Sequence, residues 1–272
     1  MDVLGYAALA LAAACLGSLG GLGGAILLVP ALVLSGLSPA EAAPLGLLCV
    51  ASGSIAAGPR QLSERAVNHR LGVAIELPAA VGAVAGALLS ASVSATLLTR
   101  LLATVALCAA YVGGRRTGMR NPPDPDCLPS DVGERIGSLA GAYPLGAAVA
   151  PYRTQRLPTG LGFMALAGFV AGTSGASGGF IKTPALNELM YVPIRVAAAT
   201  TTFTVGITSA TALLVFAVQD RIDTRLAGPV IAASLVGGLL GARVQSRLRP
   251  ILIRRGLSAL LVLVAVVLVA RS

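Results

Sequence analysis

The sequence predicts an all-α polytopic membrane protein built from two homologous, inverted repeats. Three observations predict this fold. The chain has 272 residues, of which 56% are hydrophobic and only 11% charged, whereas a soluble domain carries about a quarter charged residues. Its mean hydropathy is +0.84, and apolar runs long enough to cross a bilayer recur along it. A glycine-rich apolar segment also occurs twice, 154 residues apart.

Eight apolar runs divide the chain into two halves of the same plan. The runs cover residues 3–34, 42–59, 71–91, 96–113, 159–186, 196–218, 226–242 and 250–270. Each half, 1–113 and 159–272, begins with a glycine-rich run and continues with three further runs that we predict to be transmembrane helices. A polar, proline-rich connector joins the halves at 114–158. We interpret it as a solvated linker, because the prolines in 121–126 exclude a helix interior.

The two glycine-rich segments align closely. Gly20 to Leu32 corresponds to Ser174 to Leu186, and the arginine and glycine pattern that follows Arg70 recurs after Arg225. Repeated glycines and a proline inside an apolar run interrupt a helix, and such a repeated interruption indicates the binding site of a transporter. The residues predicted to open the backbone there are Gly21, Gly23, Gly24, Gly175, Gly178 and Gly179, with Pro30 and Pro184 fixing the ends of the breaks.

The arginines favour a re-entrant path for both glycine-rich segments. If all eight runs crossed the membrane, twelve arginines would lie on one side and six on the other. If both segments return to the side from which they enter, the division becomes fifteen against three. This is the stronger positive-inside asymmetry. Each half then crosses three times, an odd number, so the halves are inverted. A broken but fully spanning helix is the alternative.

The breaks are suited to an anion. They turn backbone amides and the positive end of a half-helix towards the membrane interior, and hydroxyl groups cluster near the second break. The hydroxyl residues that we predict to bind the substrate are Ser174, Ser177, Thr183, Thr200, Thr201 and Thr202. The alternative for the glycines is close helix packing through small residues.

Two charged residues fall within apolar runs. Lys182 is the only lysine in the chain, and an ammonium group at bilayer depth costs about 2.5–3.5 kcal/mol on insertion scales. We interpret it as the charge that meets an anionic substrate; the alternative is a side chain that snorkels to the interface. Glu76 lies five residues into its run, and we interpret it as an interfacial carboxylate. Its alternatives are pairing with Lys182 and proton uptake as a coupling group.

The repeated pattern resembles a known family. Gly-Gly, then Pro-Ala-Leu, a second proline (Pro39 and Pro193), an alanine and a threonine-rich helix resemble the TauE/SafE sulfite exporter family. The likeness spans the chain apart from the connector and is strongest from Gly175 to Pro184. It implies a multi-pass permease of the bacterial or archaeal plasma (inner) membrane, linked to sulfite, sulfonates and related organic anions.

We therefore predict a transporter, not an enzyme, that moves sulfite, an organosulfonate or a related sulfur oxyanion by alternating access. Its partners would be the small anion, the lipid bilayer and protons as a coupling ion, with no cofactor, metal or nucleic acid; the net charge of +9 forms no basic stripe with interleaved aromatics. One alternative is an uncoupled anion channel. The other is an intramembrane serine hydrolase using Ser174, although no histidine follows His69 to activate it.

Overall fold

The computed structural model describes residues 2–20, 23–114, 121, 124, 126–145, 148–245 and 259–268. Helices dominate these ranges, and a small sheet lies in the connector. The helices are α1 (Val3–Gly20), α2 (Ala25–Leu34), α3 (Pro39–Ser63), α4 (His69–Ser90), α5 (Ala95–Gly114), α6 (Leu157–Ser174), α7 (Gly179–Pro184), α8 (Ile194–Val218), α9 (Thr224–Gln245) and α10 (Ala259–Leu268).

The first glycine-rich segment is a helical hairpin. A Cβ built on Gly24 would lie 2.8 Å from the Ala14 Cα, whereas ten residues of continuous helix would separate the two residues by about 15 Å. The chain therefore reverses between α1 and α2. Gly23, at the reversal, has φ +81°, a conformation that glycine adopts without steric cost.

The second glycine-rich segment is also a hairpin, with its two ends side by side. Gly175 ends α6 with φ +70°, and a Cβ on Gly178 would lie 2.8 Å from the Ala167 carbonyl oxygen. A π-helical segment, Ala185–Leu189, continues α7. The Gln155 amide then donates to the Met190 carbonyl at 3.0 Å, so the chain returns to the level at which it entered. This geometry is the re-entrant path favoured by the arginines.

The prolines do not mark the breaks, which corrects the role predicted for Pro30 and Pro184. Pro30 lies inside α2, which continues to Leu34, and helical structure continues past Pro184 as the π segment. A proline removes one intrahelical hydrogen bond and kinks a helix without necessarily ending it. The glycines alone open the chain.

The two halves are related as inverted repeats. The equivalent helices α3 and α8 run antiparallel: Arg221, just beyond α8, donates to the Ala40 carbonyl at 3.4 Å near the start of α3. At the other end, Arg195 at the start of α8 donates to Glu64, which follows α3, at 2.8 Å. Equivalent spans of opposite direction are what an inverted duplication produces.

Each hairpin packs against a helix of the other half. Helix α4 packs on α6, where a Cβ on Gly82 or Gly86 would overlap the carbonyl oxygens of Ala165 and Phe169. Helix α9 packs on α1 in the same way, with Gly237 and Gly241 against the carbonyl oxygens of Leu11 and Cys15. Glycines thus allow backbone to meet backbone, as they commonly do in membrane helix pairs.

Within the described ranges, five helices are long and apolar enough to cross a membrane: α3, α4, α6, α8 and the Thr224–Arg243 part of α9. The apolar parts found in α5 and α10, Ala95–Cys108 and Ala259–Leu268, are shorter. Together with the hairpins, these elements confirm the predicted all-α polytopic membrane fold.

The connector contains a small antiparallel sheet that we did not predict. Its strands are β1 (Gly133–Glu134), β2 (Ala140–Leu145) and β3 (Ala148–Arg153), with Ala140 opposite Arg153 and Leu145 opposite Ala148. Tyr152 of β3 accepts a hydrogen bond from the Asn68 side chain at 3.0 Å, and burial raises the pKa of Tyr152 to about 12. The sheet is thereby fixed to the start of α4.

Candidate functional site

A cavity of about 500 Å³ lies between the two hairpins and helices α3, α8 and α9. Arg60, Glu64 and Arg195 line it near the protein surface, at the end that also holds the returning hairpin of the second half. Gly23, Gly24, Ser177 and Gly179 line its deep end. The cavity therefore leads from an arginine-bearing mouth to the helix breaks, and its volume falls within the range of small-molecule sites.

The floor of the cavity is made by both breaks together. A Cβ on Gly23 would overlap the Ser177 hydroxyl, so the two breaks are in direct contact. Helices α2 and α7 begin here, directly after Gly24 and Gly178. Neither of these two glycines can cap its helix with a side chain, and at α7 the Gly179 amide donates to Ser177 Oγ at 3.2 Å. The first amides of a helix have no intrahelical acceptor, and the helix dipole makes this end positive. The predicted residues Gly23, Gly24, Ser177 and Gly179 all lie at this floor.

Two of the predicted threonines form part of the wall. Thr201 and Thr202 line the cavity from α8. Thr202 uses its hydroxyl within the helix, donating to the Ala198 carbonyl at 3.0 Å. Thr201 is only 1% exposed, and its Oγ1 has no hydrogen-bond partner. A buried hydroxyl without a partner is costly, which makes Thr201 the clearest candidate ligand in the cavity wall.

Sequence reasoning missed the ion pairs at the mouth. Glu64 accepts from Arg195 Nη2 at 2.8 Å and from Arg60 Nε at 3.0 Å, and the Arg195 hydrogen bond is the main cause that lowers the pKa of Glu64. Two guanidinium groups against one carboxylate leave the mouth positive. Both arginines looked like ordinary loop-flanking residues. Arg60 lies near the end of α3 and Arg195 at the start of α8, and the inverted direction of these equivalent helices was the available signal.

Lys182 and Glu76 form a buried ion pair away from the cavity lining. Lys182 Nζ lies 2.8 Å from Glu76 Oε2, and neither residue lines the cavity. Glu76 is buried in α4, and the predicted alternative of pairing with Lys182 is the one observed. Lys182 is fully buried and does not snorkel. Its direct partner is a carboxylate of the protein.

The other predicted residues serve local structure. Thr200 accepts from the Asn68 amide at 3.1 Å, Gly175 packs against the Ala43 backbone, and Gly178 packs against Ala167. Thr183 has a buried hydroxyl without a partner but does not line the cavity. Gly21 lies outside the described residues.

The surroundings of Ser174 are not those of a catalytic nucleophile. Its hydroxyl donates to the Val170 carbonyl at 2.6 Å, and it is absent from the cavity lining. The single histidine, His69, lies at the start of α4 against Phe203, with its Nδ1 3.8 Å from Glu134. A serine without a base in hydrogen-bond reach is not activated.

Comparisons with known proteins agree with this architecture. A family model described as "Sulfite exporter TauE/SafE" matches residues 6–268. Neither the curated proteins nor the solved structures gave a match to the chain. Since the family model covers nearly the entire chain, both hairpins included, the chain belongs to the TauE/SafE sulfite exporter family, a family of membrane transporters.

Proposed function

We propose that this protein is a permease that moves sulfite, an organosulfonate or a related sulfur oxyanion across the membrane by alternating access. The observation that carries the proposal is the cavity that runs from the Arg60–Arg195 mouth to the two contacting helix breaks. Membership of a transporter family supports the reaction class. The physical character of the cavity supports an anionic substrate.

The anion would be held at the cavity floor by neutral donors. The first amides of α2 and α7 face this floor, and they lie at the positive ends of the two helix dipoles. Thr201 Oγ1 and Ser177 Oγ would add hydroxyl donors, because both residues line the cavity. The positive mouth would attract anions from solution, and the neutral floor would bind them weakly enough to release them.

Alternating access would follow from the inverted repeats. The cavity is open at the Arg60 end, whereas Arg221 closes the other end: its guanidinium donates to Ser90 Oγ at 2.8 Å and lies 4.6 Å from the Phe216 ring centroid. Exchanging the conformations of the two halves would open that end and close the first. Channel function would need both ends open at once, and the closed Arg221 end disfavours it.

The membrane orientation follows from the arginines. Arg60, Arg195 and Arg243 lie at the cavity mouth end, since Arg60 donates to the Ala242 carbonyl at 2.9 Å and Arg195 reaches Glu64. The positive-inside rule assigns this end to the cytoplasm. In the bacterial or archaeal plasma membrane implied by the family, the cavity would face the cytoplasm. A hydrolytic role for Ser174 receives no support from its geometry.

The test is radiolabelled sulfite counterflow in proteoliposomes. Wild type should exchange internal for external sulfite with saturation, and unlabelled sulfonates or thiosulfate should compete. Liposomes with heat-denatured protein are the control for leakage. Linear, unsaturable flux would favour the channel, and absence of exchange in folded protein would overturn the proposal.

A further inference from the structure

We propose that Glu76 and Lys182 form a proton-binding site, and that a proton bound there crosses the membrane together with the anion. This inference rests on the anion transport proposed above. It adds a coupling ion, a site for that ion and a direction of coupling.

The pair is enclosed by protein between α4, α7 and α8. Lys182 Nζ donates to Glu76 Oε2 at 2.8 Å, to Thr208 Oγ1 at 2.6 Å and to Thr204 Oγ1 at 3.4 Å. Thr208 Oγ1 lies 2.6 Å from Glu76 Oε1 and donates to it. Lys182 is 0% exposed and Glu76 6%. Ionisable residues at such depth are expensive to place and are typical of ion and proton pathways.

No other described charged group faces this pair. Helix α6 has no titratable residue. The buried Cys49 of α3 lines the cavity and is not among the groups in contact with the pair, and the remaining groups on the surrounding elements lie at helix ends or on the outer surface. Those groups are His69 and Arg70 at the start of α4, Arg195 at the cavity mouth, Glu41 and Arg60 near the ends of α3, Arg100, Cys108 and Tyr111 exposed on α5, and Glu188 with contacts of its own in the π segment. The charge of the site is therefore set by Glu76 and Lys182 alone.

Helix α8 connects the pair to the substrate cavity. Thr204 and Thr208 touch Lys182 from one face of α8, and Thr201 lines the cavity from the same helix. The Thr204 hydroxyl also donates to the Thr201 carbonyl at 3.1 Å. The ion pair and the cavity wall are therefore separated by only one turn of α8.

Protonation would change the charge beside the cavity. A proton from the aqueous phase forms an O–H bond with a carboxylate oxygen of Glu76, and no other covalent bond changes. The net charge of the pair rises from zero to +1, because Lys182 keeps its ammonium. An uncompensated ammonium in a low-dielectric interior strongly favours a nearby anion, and linkage makes the effect reciprocal. Proton and anion therefore bind together and cross in the same direction.

The pair joins the two halves, with Glu76 from the first and Lys182 from the second, and it is not duplicated. Lys182 corresponds to Leu28 in the first repeat, and Glu76 corresponds to Ile231 in the second, so both equivalent positions are apolar. The first hairpin consequently has no counterpart of the ion pair. A duplicated scaffold with a single ionisable site suits one proton per transport cycle, so a monoanion would move without net charge.

The experiment compares two sulfite fluxes in the same proteoliposomes: counterflow at equal pH, and accumulation driven by an acidic exterior. We expect wild type to show both. Glu76→Gln should keep counterflow and lose the gradient-driven accumulation. Glu41→Gln is the matched control, because Glu41 is an exposed carboxylate in a capping box that glutamine also supports; it should behave like wild type.

A second variant separates coupling from a structural role and guards against misfolding. Glu76→Gln combined with Lys182→Gln removes both charges, so no buried ion lacks a partner. If the pair only holds hairpin and helix together, this double variant should regain gradient-driven accumulation. If the pair binds the proton, accumulation stays lost while counterflow persists.

Sulfite itself takes up a proton, so bisulfite carriage would also respond to the gradient. That response would be equal in wild type, Glu76→Gln and the double variant, and equal responses would overturn the proton site. Failure of counterflow in folded wild type is a different outcome, which would overturn anion transport instead.

Discussion

Gly23 and Ser177 meet where the two hairpins touch, and they are equivalent positions of the two repeats. The space for a Cβ on Gly23 is already filled by the Ser177 side chain. The pseudo-twofold relation between the halves therefore passes through the breaks themselves. Because the two breaks are in contact and together form the cavity floor, a movement of either hairpin changes the shape of that floor.

Gly23→Ala should destabilise the protein and abolish transport. Its φ of +81° is unfavourable for alanine, and the new methyl group would overlap Ser177; together these effects should cost about 2 kcal/mol or more. Thermal unfolding in detergent, followed by circular dichroism, measures the loss. Adding Ser177→Gly should restore part of the stability. Gly58→Ala, where nothing lies within 4 Å of the new Cβ, should not lower the melting temperature.

Gly86→Ala and Gly241→Ala should destabilise the fold by similar amounts, about 1–3 kcal/mol each. Each glycine lets its helix meet a backbone carbonyl, that of Phe169 or Cys15, and backbone cannot yield as a flexible side chain can. The same unfolding measurement tests this. The methyl groups added by Gly162→Ala and Gly228→Ala would enter open space, so both substitutions should be tolerated. A strong effect in only one half would contradict the equivalence of the two hairpin contacts.

Thr201→Val should weaken anion binding without unfolding the protein. The Thr201 hydroxyl has no partner within the protein, so its removal costs little stability. If it donates to the bound anion, the KM for sulfite should rise by roughly tenfold, the worth of a hydrogen bond to a charged group. The neighbouring Thr200→Val should instead lower the stability of the protein, because the hydrogen bond from the Asn68 amide is lost. Equal KM values for Thr201→Val and wild type would remove Thr201 from the site.

Acid should loosen the cavity mouth. Arg195 holds the pKa of Glu64 below its usual value, so Glu64 contributes stability above its unfolded-state pKa and loses it as pH falls through the lower folded-state pKa. The group is partly exposed, which keeps the effect small. Unfolding curves at neutral and acidic pH should therefore show a larger acid-induced loss for wild type than for Glu64→Gln. An identical loss in both proteins would contradict the assignment.

The sequence was sufficient for the broad plan because that plan repeats. Gly24 and Gly178 share a register, which predicted both breaks, and the arginine asymmetry indicated the return of each segment. The prediction that the prolines end the breaks was wrong, since Pro30 is accommodated within a continuing helix. The connector sheet was hidden because Pro144 and Pro151 interrupt strands that otherwise alternate poorly in polarity.

The details of the site depended on tertiary packing. Glu76 and Lys182 are 106 residues apart, and their pairing requires α4, α7 and α8 to converge, which no local pattern encodes. Likewise, neighbouring threonines diverge: Thr200 faces Asn68 and Thr201 faces the cavity. Residue type indicated hydroxyl ligands, but only the helix orientation separates a ligand from a structural hydrogen bond.

The central claim is that the anion binds where the two breaks meet. A structure of the protein with bound sulfite tests it most directly. Sulfite density should lie at the cavity floor, within hydrogen-bond distance of Thr201 Oγ1 and of the amides that begin α2 and α7. Density at the mouth alone, or beside Lys182 with Glu76 displaced, would contradict it.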